Sequence, residues 1–333
     1  MKMEKKIRWG ILGTGYIARK FAEGLAVVEN AELFAVASRN LPTAQHFAKD
    51  FDNLVSFGSY EELASCSEVD VVYIATPHNL HYSNTMMCLQ NNKHVLCEKP
   101  FAVNAYEVNA MIEEAKSRNL FLMEAFWTRF LPHIIKIKEL IANGTIGDIV
   151  LLKADLCFNR PYDENNRLFN KELVGGSLLD VGIYPLFLAQ FLLGEPTSTS
   201  ATAIMGPTQV DHSCAMLLNY SNKLAILHSS IIANTDVTAE IHGTKGKIVI
   251  EPYWFCPSNF SIHFHDGTSQ HINTEHIGNG YNYEAQEVTN CILARKSESD
   301  LFSYQDSMLL IGMLDSIRKQ INLHYPLHDK LGK

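Results

Sequence analysis

Ile7-Arg8-Trp9-Gly10-Ile11-Leu12-Gly13-Thr14-Gly15-Tyr16-Ile17-Ala18 is the stretch that decides the fold. Its first six residues form a nearly continuous apolar run, as in a strand covered on both faces. Gly13, Thr14, Gly15, Tyr16, Ile17 and Ala18 come next without a gap and keep the spacing GxGxxA. Gly13 permits a tight turn, Gly15 lets the backbone approach a pyrophosphate, and the small Ala18 lets a helix pack closely on the strand. The helix opening there offers N–H groups and a positive dipole end to phosphates. A purely structural turn uses glycine too, so the motif takes its meaning from the strand–helix alternation downstream of it.

From residue 7 to about 125, apolar runs alternate with helix-length segments, the pattern of βαβ units around a parallel sheet. The strand runs are 7–12, 33–37, 69–75, 94–97 and 120–123, and the helical segments are 17–28, 42–51, 81–92 and 105–119. Beyond about residue 145 the runs lengthen and are joined by turns, at 149–158, 215–220, 224–232 and 248–251. Helices are expected at 136–142, 178–193 and 308–321. The sequence therefore predicts an α/β protein. A Rossmann domain with a doubly wound parallel sheet spans 1–125, and an α/β domain with a mostly antiparallel open sheet spans 126–333.

The 333 residues exceed what one hydrophobic core usually serves, and 47% apolar with 19% charged residues is a globular balance. A formal charge of −8 disfavours nucleic acid as a partner. The basic start is broken by Gly13 and Gly15, and the greasiest segment, 178–193, carries Asp180 and Gln190, so no membrane span is expected. Cysteines 66, 88, 97, 157, 214, 256 and 291 form no CxxC pair, which fits a reducing, cytoplasmic setting. His263, His265, His271 and His276 flank the Asp266-Gly267 turn and read as strand edges and loop rather than a metal site.

In chains that prefer the non-phosphorylated dinucleotide, a carboxylate about 20 residues beyond the glycines accepts the ribose hydroxyls. Here that place reads Ala37-Ser38-Arg39-Asn40. Without a carboxylate to repel a 2′-phosphate, and with Arg39 able to pair with one, NADP is favoured over NAD. Cys97-Glu98-Lys99-Pro100 ends the next-to-last strand of the parallel sheet, on the side where the cofactor crevice lies. A lysine there can bind a substrate hydroxyl and exchange its proton, although a solvated strand-end lysine fits the position equally.

GTGYIA, TPHNLH, EKP, EAFWTRFLP and GGSLLDVGIY occur in that order. Together they resemble the glucose-fructose oxidoreductase and inositol dehydrogenase family (Gfo/Idh/MocA), over roughly residues 6–325. MEAFWTRFLP and LLDVGIY are most similar to its dimeric dihydrodiol dehydrogenases and NADP-linked D-xylose dehydrogenases. The resemblance implies a homodimer formed through the C-terminal sheet, with Lys99 touching the substrate hydroxyl and the nicotinamide. It also implies Asp180 and Tyr184 as partners, where many relatives carry histidine four residues after the aspartate. In a regular helix these two share a face at i, i+4, while Pro185 leaves their orientation open. Read from the residues alone, Tyr184 is a core residue and Asp180 a capping or ion-pair group.

Thr76, Pro77, His78 and His81 come after the strand run 69–75, where either histidine could contact ribose or nicotinamide and His81 could equally begin a helix. Glu98, Glu124, Trp127 and Arg129 resemble the family's nicotinamide side, with a buried tryptophan and structural ion pair as the alternative. Thr43 stands where the subgroup commonly has a second arginine. Arg160 and Arg167, in the 159–172 loop, read more readily as surface residues than as substrate contacts.

The expected function is hydride transfer between nicotinamide and a secondary alcohol or hemiacetal of a small sugar, polyol or cyclic diol. Lys99 and Tyr184 manage the proton and Asp180 orients them, without a metal. Two alternatives are kept: a carbonyl reductase acting on a sugar-derived or dicarbonyl substrate, and a non-catalytic NADP-sensing regulator of the same fold.

Overall fold

The computed structural model describes residues 6–330. Its first elements are β1 (Ile7–Leu12), α1 (Tyr16–Leu25), β2 (Ala31–Ala37), α2 (Leu41–Ala48), β3 (Val55–Phe57) and α3 (Tyr60–Ser65). They continue with β4 (Val71–Ile74), α4 (His81–Gln90), β5 (His94–Glu98), α5 (Ala105–Arg118) and β6 (Leu122–Ala125). After these come α6 (Pro132–Ala142), β7 (Ile149–Cys157), α7 (Ile183–Leu193), β8 (Ser198–Met205), β9 (Asp211–Asn219) and β10 (Leu224–Ser230). The last are β11 (Ala239–Gly243), β12 (Gly246–Ile250), β13 (Phe260–Phe264), β14 (Ser269–Ile272), α8 (Tyr281–Leu293) and α9 (Tyr304–Gln320).

The first sheet runs β3-β2-β1-β4-β5-β6, and every pair is parallel. Every residue of β4 and β6 is buried, as a strand covered on both faces requires. The order reverses between β1 and β4, and ligands of such sheets bind beyond the strands' carboxyl ends at that switch point. Side-chain caps fix where several helices begin. Asn40 accepts from Thr43 N at 3.0 Å, Ser59 from Glu62 N at 3.1 Å and Asn104 from Glu107 N at 2.9 Å.

The second sheet runs β14-β13-β12-β11-β7-β10-β9-β8 and is antiparallel except for the parallel pair β7–β10. Leu152, Ala154 and Leu156 of β7 and Ala225 and Leu227 of β10 are buried, on the face where α7 packs. Lys171–Leu193 is long and apolar enough to cross a membrane, but 94% of its most apolar 18-residue stretch is buried, which marks it as core.

The chain forms two compact units, one of residues 6–130 with Ile277–Met308 and the other of Leu131–His276 with 309–330. The single boundary near residue 125 read from the sequence does not contain the return of Ile277–Met308 to the first unit. Its cause is the apolar side of α8, where Tyr281, Ala285, Val288 and Thr289 are buried and which packs against α1. Gly24 of α1 lets the two helices approach, since a Cβ there would sit 3.0 Å from Tyr281 Cβ.

Candidate functional site

The two glycines of the first turn are glycines for different reasons. Gly13 has φ +104°, and a Cβ on it would lie 2.6 Å from the Ala75 carbonyl oxygen, so the fold itself excludes any other residue. Gly15 has an ordinary extended backbone, φ −76° and ψ −175°, and a Cβ there would meet nothing within 4 Å. The fold does not need glycine at this position. Gly15 is also the N-cap of α1 without a side-chain cap, and the first intrahelical bond is Arg19 N to Gly15 O at 3.2 Å. The N–H groups of Tyr16, Ile17 and Ala18 thus precede the helix's own bonding, and no acidic side chain occupies the first turn. An open approach to uncapped amides fits a pyrophosphate.

Ser38 and Arg39 leave the end of β2, where Ser38 N donates to Phe57 O at 3.3 Å. Asn40 and Thr43 are spent on the α2 cap, since Asn40 Oδ1 also accepts from the Thr43 hydroxyl at 2.6 Å. Thr76 ends the neighbouring segment after β4, and its hydroxyl accepts from Asn84 Nδ2 at 3.1 Å. His81 is fully buried, with Nε2 2.9 Å from Thr76 O and Nδ1 2.7 Å from Pro100 O. Rather than facing outward, its imidazole ties the loop after β4, with Pro77 and His78, to the loop after β5. His78 is also buried, its ring 5.6 Å from that of His81.

The β5 loop carries Lys99, and nearly every residue around it is held. Glu98 accepts from the Tyr73 hydroxyl, and its other oxygen accepts from Lys99 N at 3.3 Å. The Lys99–Pro100 peptide is cis. Phe101 N donates to Glu124 Oε1 at 2.9 Å, and Val103 N to Glu107 Oε2 at 3.1 Å. Glu124 accepts from Ser307 Oγ at 2.8 Å on its second oxygen, and burial pushes its carboxyl up to about 7 against the pull of these bonds. Trp127 lies flat on Tyr281, centroids 4.5 Å apart and planes 3° from parallel. Burial lowers the Arg129 guanidinium, while Asp306 and Glu287 oppose that shift. Glu124, Trp127 and Arg129 therefore all lean on the segment that returns after residue 277.

In the second unit, Leu178–Gly182 is a π-helical turn that leads into α7. This corrects the sequence expectation of a regular helix with Asp180 and Tyr184 at i, i+4, because a π turn widens the spacing through Asp180. Asp180 is nearly buried and receives both ends of the Arg167 guanidinium, Oδ1 at 3.0 Å and Oδ2 at 3.4 Å, so Arg167 is more than surface decoration. Tyr184 is buried, its ring 5.1 Å from Phe255. The turn's entry is fixed by Asp211, which accepts from Leu178 N at 2.6 Å and which burial pushes up to about 7. Gly176, at φ +118°, passes so close that a Cβ would collide with Asp211 Oδ1.

The family profile described as "Oxidoreductase family, NAD-binding Rossmann fold" matches residues 7–126, and the "GFO/IDH/MocA C-terminal domain" matches 134–249. The chain belongs to the Gfo/Idh/MocA oxidoreductase family. A trans-1,2-dihydrobenzene-1,2-diol dehydrogenase of Xenopus laevis is 37% identical over 332 residues, covering 96% of this chain and 99% of that protein. The Homo sapiens protein of the same name is 36% identical over 334 residues, with 96% and 98% covered. Among solved structures, an aldose-aldose oxidoreductase from Caulobacter crescentus complexed with glycerol superposes with a TM-score of 0.86 at 25% identity, covering 96% and 98%. A 3-ketoreductase from Actinomadura kijaniata in complex with NADP and TDP-benzene shares the fold at TM-score 0.86 and 22% identity, covering 95% and 98%.

Within this Gfo/Idh/MocA chain, four polar residues at the site carried no sequence signal of their own. Asn84 and Ser307 are single polar residues on otherwise ordinary helices, and Asp211 and Glu284 are acids in a strand and a helix that read as surface-compatible. Only their burial, at 7% exposure or less, singles them out. A carboxylate far from the protein surface needs a reason to be there.

Proposed function

We propose that the chain oxidises a secondary alcohol or hemiacetal of a small sugar, polyol or cyclic diol, reversibly, with a nicotinamide dinucleotide. The observation that carries this is Gly15, a glycine the fold does not require, at the uncapped start of α1 on the strand-end side that also bears Lys99. The names of the diol dehydrogenase relatives and of the aldose-aldose oxidoreductase support the substrate class.

Gly13, Thr14, Gly15, Tyr16 and Ile17 would hold the pyrophosphate, Ser38 and Arg39 the adenosine ribose, and the strand-end residues from Thr76 to Lys99 the nicotinamide side. A dinucleotide held there supplies the hydride acceptor or donor. Lys99 binds the substrate hydroxyl and takes its proton as the C–H bond is broken, or returns it in the reverse direction. Tyr184 is assigned a share in that proton transfer, and Asp180 the orientation of Tyr184. An assay of reduced cofactor, run in both directions over aldoses, inositols and vicinal diols, tests this reading. Turnover of at least one class supports it, and none with any class in either direction counts against it.

NADP preference rests on Arg39 and on the lack of a carboxylate between Ala37 and Asn40. Replacing Arg39 by leucine is expected to lower the ratio of NADP to NAD affinity by about tenfold to a hundredfold, the worth of one charge-assisted bond. An unchanged ratio would assign Arg39 to the surface.

The proposal includes a homodimer through the second sheet. On its outer face Leu217 and Ile226 are register partners on β9 and β10, with Leu224 beside them, and all three are exposed. Contiguous exposed apolar side chains of this kind mark interaction surfaces. Light scattering is expected to give twice the chain mass, and Ile226→Lys to shift it toward the single chain. A monomeric wild type would contradict this.

A further inference from the structure

We propose that Tyr325, in the segment after α9, is a positioning residue for the reaction: its hydroxyl clamps the backbone at Gly175–Gly176, and through it keeps Arg167 aligned with Asp180. This rests on the role of Asp180 in orienting Tyr184.

Gly175 and Gly176 pass between the supports of the two partners in the Arg167–Asp180 ion pair, all within the second unit. On one flank, Gly175 N donates to Asn170 O at 2.9 Å and Gly176 N to Leu168 O at 2.8 Å. A Cβ on Gly175 would lie 2.5 Å from the Arg167 carbonyl oxygen and 2.6 Å from that of Leu168, so the crossing packs directly on the backbone that carries the guanidinium. On the other flank, Gly176 packs against Asp211 Oδ1, while Asp211 Oδ2 accepts from Leu178 N at 2.6 Å. Leu178 opens the π turn that carries Asp180. A shift of the crossing toward either flank therefore twists the fork between Arg167 and Asp180, whose two bonds, 3.0 and 3.4 Å, depend on direction as well as distance.

The crossing does not hold itself. Val174, just before it, has φ +59°, a left-handed conformation that β-branched residues rarely adopt, and Gly176 has φ +118°. Such backbone persists where its surroundings over-determine it. Tyr325 supplies one of the fixed points, because its hydroxyl donates to Gly175 O across 150 residues of chain. The tyrosine is immobile in its turn. It is fully buried, with the Arg318 guanidinium 4.9 Å from the centre of its ring. Its N–H donates to Asp329 Oδ2 at 2.8 Å, and Arg318 Nη2 reaches the two oxygens of Asp329 at 2.7 and 2.9 Å. Burial, and after it the Asp211 carboxyl, holds the Tyr325 phenol well above its ordinary range, so it stays a donor. Packing asks only for the ring, which phenylalanine would supply; the oxygen serves the Gly175 carbonyl.

Without that oxygen the crossing loses a fixed point, the fork loosens, and Asp180 no longer presents one geometry to Tyr184. A misplacement of about 1 Å at a reacting group costs up to about a hundredfold in rate. Tyr325 thereby acts on the proton transfer without touching substrate or cofactor.

Tyr325→Phe tests this in initial-rate kinetics on the class of sugar, polyol or diol that the protein turns over. Its kcat should fall about tenfold. KM and cofactor affinity should stay within about threefold. In an Arg167→Lys background, where the fork is already given up, the same change should cost less than about twofold. A tyrosine that served only the stability of the fold would lower the rate by one factor in both backgrounds. Equal factors in the two backgrounds, a wild-type kcat for Tyr325→Phe, or a cofactor affinity that falls in step with the rate would overturn the proposal. If Tyr325→Phe does not fold, Asp329→Ala, at the partly exposed end of the clamp, takes its place in both backgrounds: a kcat lowered only where Arg167 is present supports the proposal, and an unchanged kcat or equal factors overturn it. Asp180→Asn separates the two readings. A wild-type rate there removes the role of Asp180 itself, whereas a slow Asp180→Asn beside a normal Tyr325→Phe overturns the clamp alone.

Discussion

Replacing Lys99 by methionine lowers turnover at least about a hundredfold, the usual worth of a positioned acid-base group, and leaves cofactor affinity within a few-fold. Methionine keeps most of the stem and removes the nitrogen. The loop should survive the change, because it is held by bonds that do not involve the lysine's own side chain. His81 reaches Pro100 O, Glu124 receives Phe101 N and Glu107 receives Val103 N. Loss of turnover with retained cofactor binding therefore isolates the chemical step. Steady-state rates paired with cofactor titration by tryptophan fluorescence check this, and a near-wild-type rate would remove Lys99 from the mechanism.

Alanine at Gly13 and at Gly15 should have opposite signatures. Gly13→Ala places a Cβ 2.6 Å from a backbone oxygen at φ +104°. Neither the carbonyl nor the turn can yield cheaply, and a loss of about 3 kcal/mol of stability is expected. Gly15→Ala meets nothing within 4 Å and has an ordinary backbone, so the melting temperature should hold or rise slightly. The new methyl instead fills the approach to the amides of α1. Loss of even one charge-assisted bond to a phosphate weakens binding by about tenfold or more. Thermal melts and cofactor titrations of both variants separate the two roles. A Gly15→Ala protein of unchanged affinity would show that the open space serves no phosphate.

Much of the first sheet was legible because its strands are apolar on both faces. The run 7–12 matches β1 residue for residue, and the strand runs at 69–75 and 94–97 fall on β4 and β5. β3 and α3 were missed because they are three and six residues long, too short for a period to show. The π turn at Leu178–Gly182 could not be read because its cause is remote in sequence: Asp211 accepting from Leu178 N and Ser229 crowding Gly182, where a Cβ would lie 2.8 Å from the hydroxyl. The same holds for the back of the lysine loop. Ser307 bears on Glu124 from more than 180 residues away, through a segment whose apolar face found α1 rather than its neighbours in sequence. Gly13 and Gly15 were visible because they join a strand run to a helix at the head of the alternating pattern, whereas position alone left Lys99 open and only the ordered family motifs pointed to it. His81 was visible as a residue, but its two carbonyl contacts depend on how two loops converge.

Calorimetric titration of NADP and of NAD into the wild-type protein, repeated on Gly15→Ala, bears most directly on the central claim that the first turn holds a dinucleotide. Heat with saturation at one cofactor per chain, stronger for NADP and markedly weakened in the variant, is expected. No heat with either nucleotide, or equal binding by the wild type and Gly15→Ala, would contradict it.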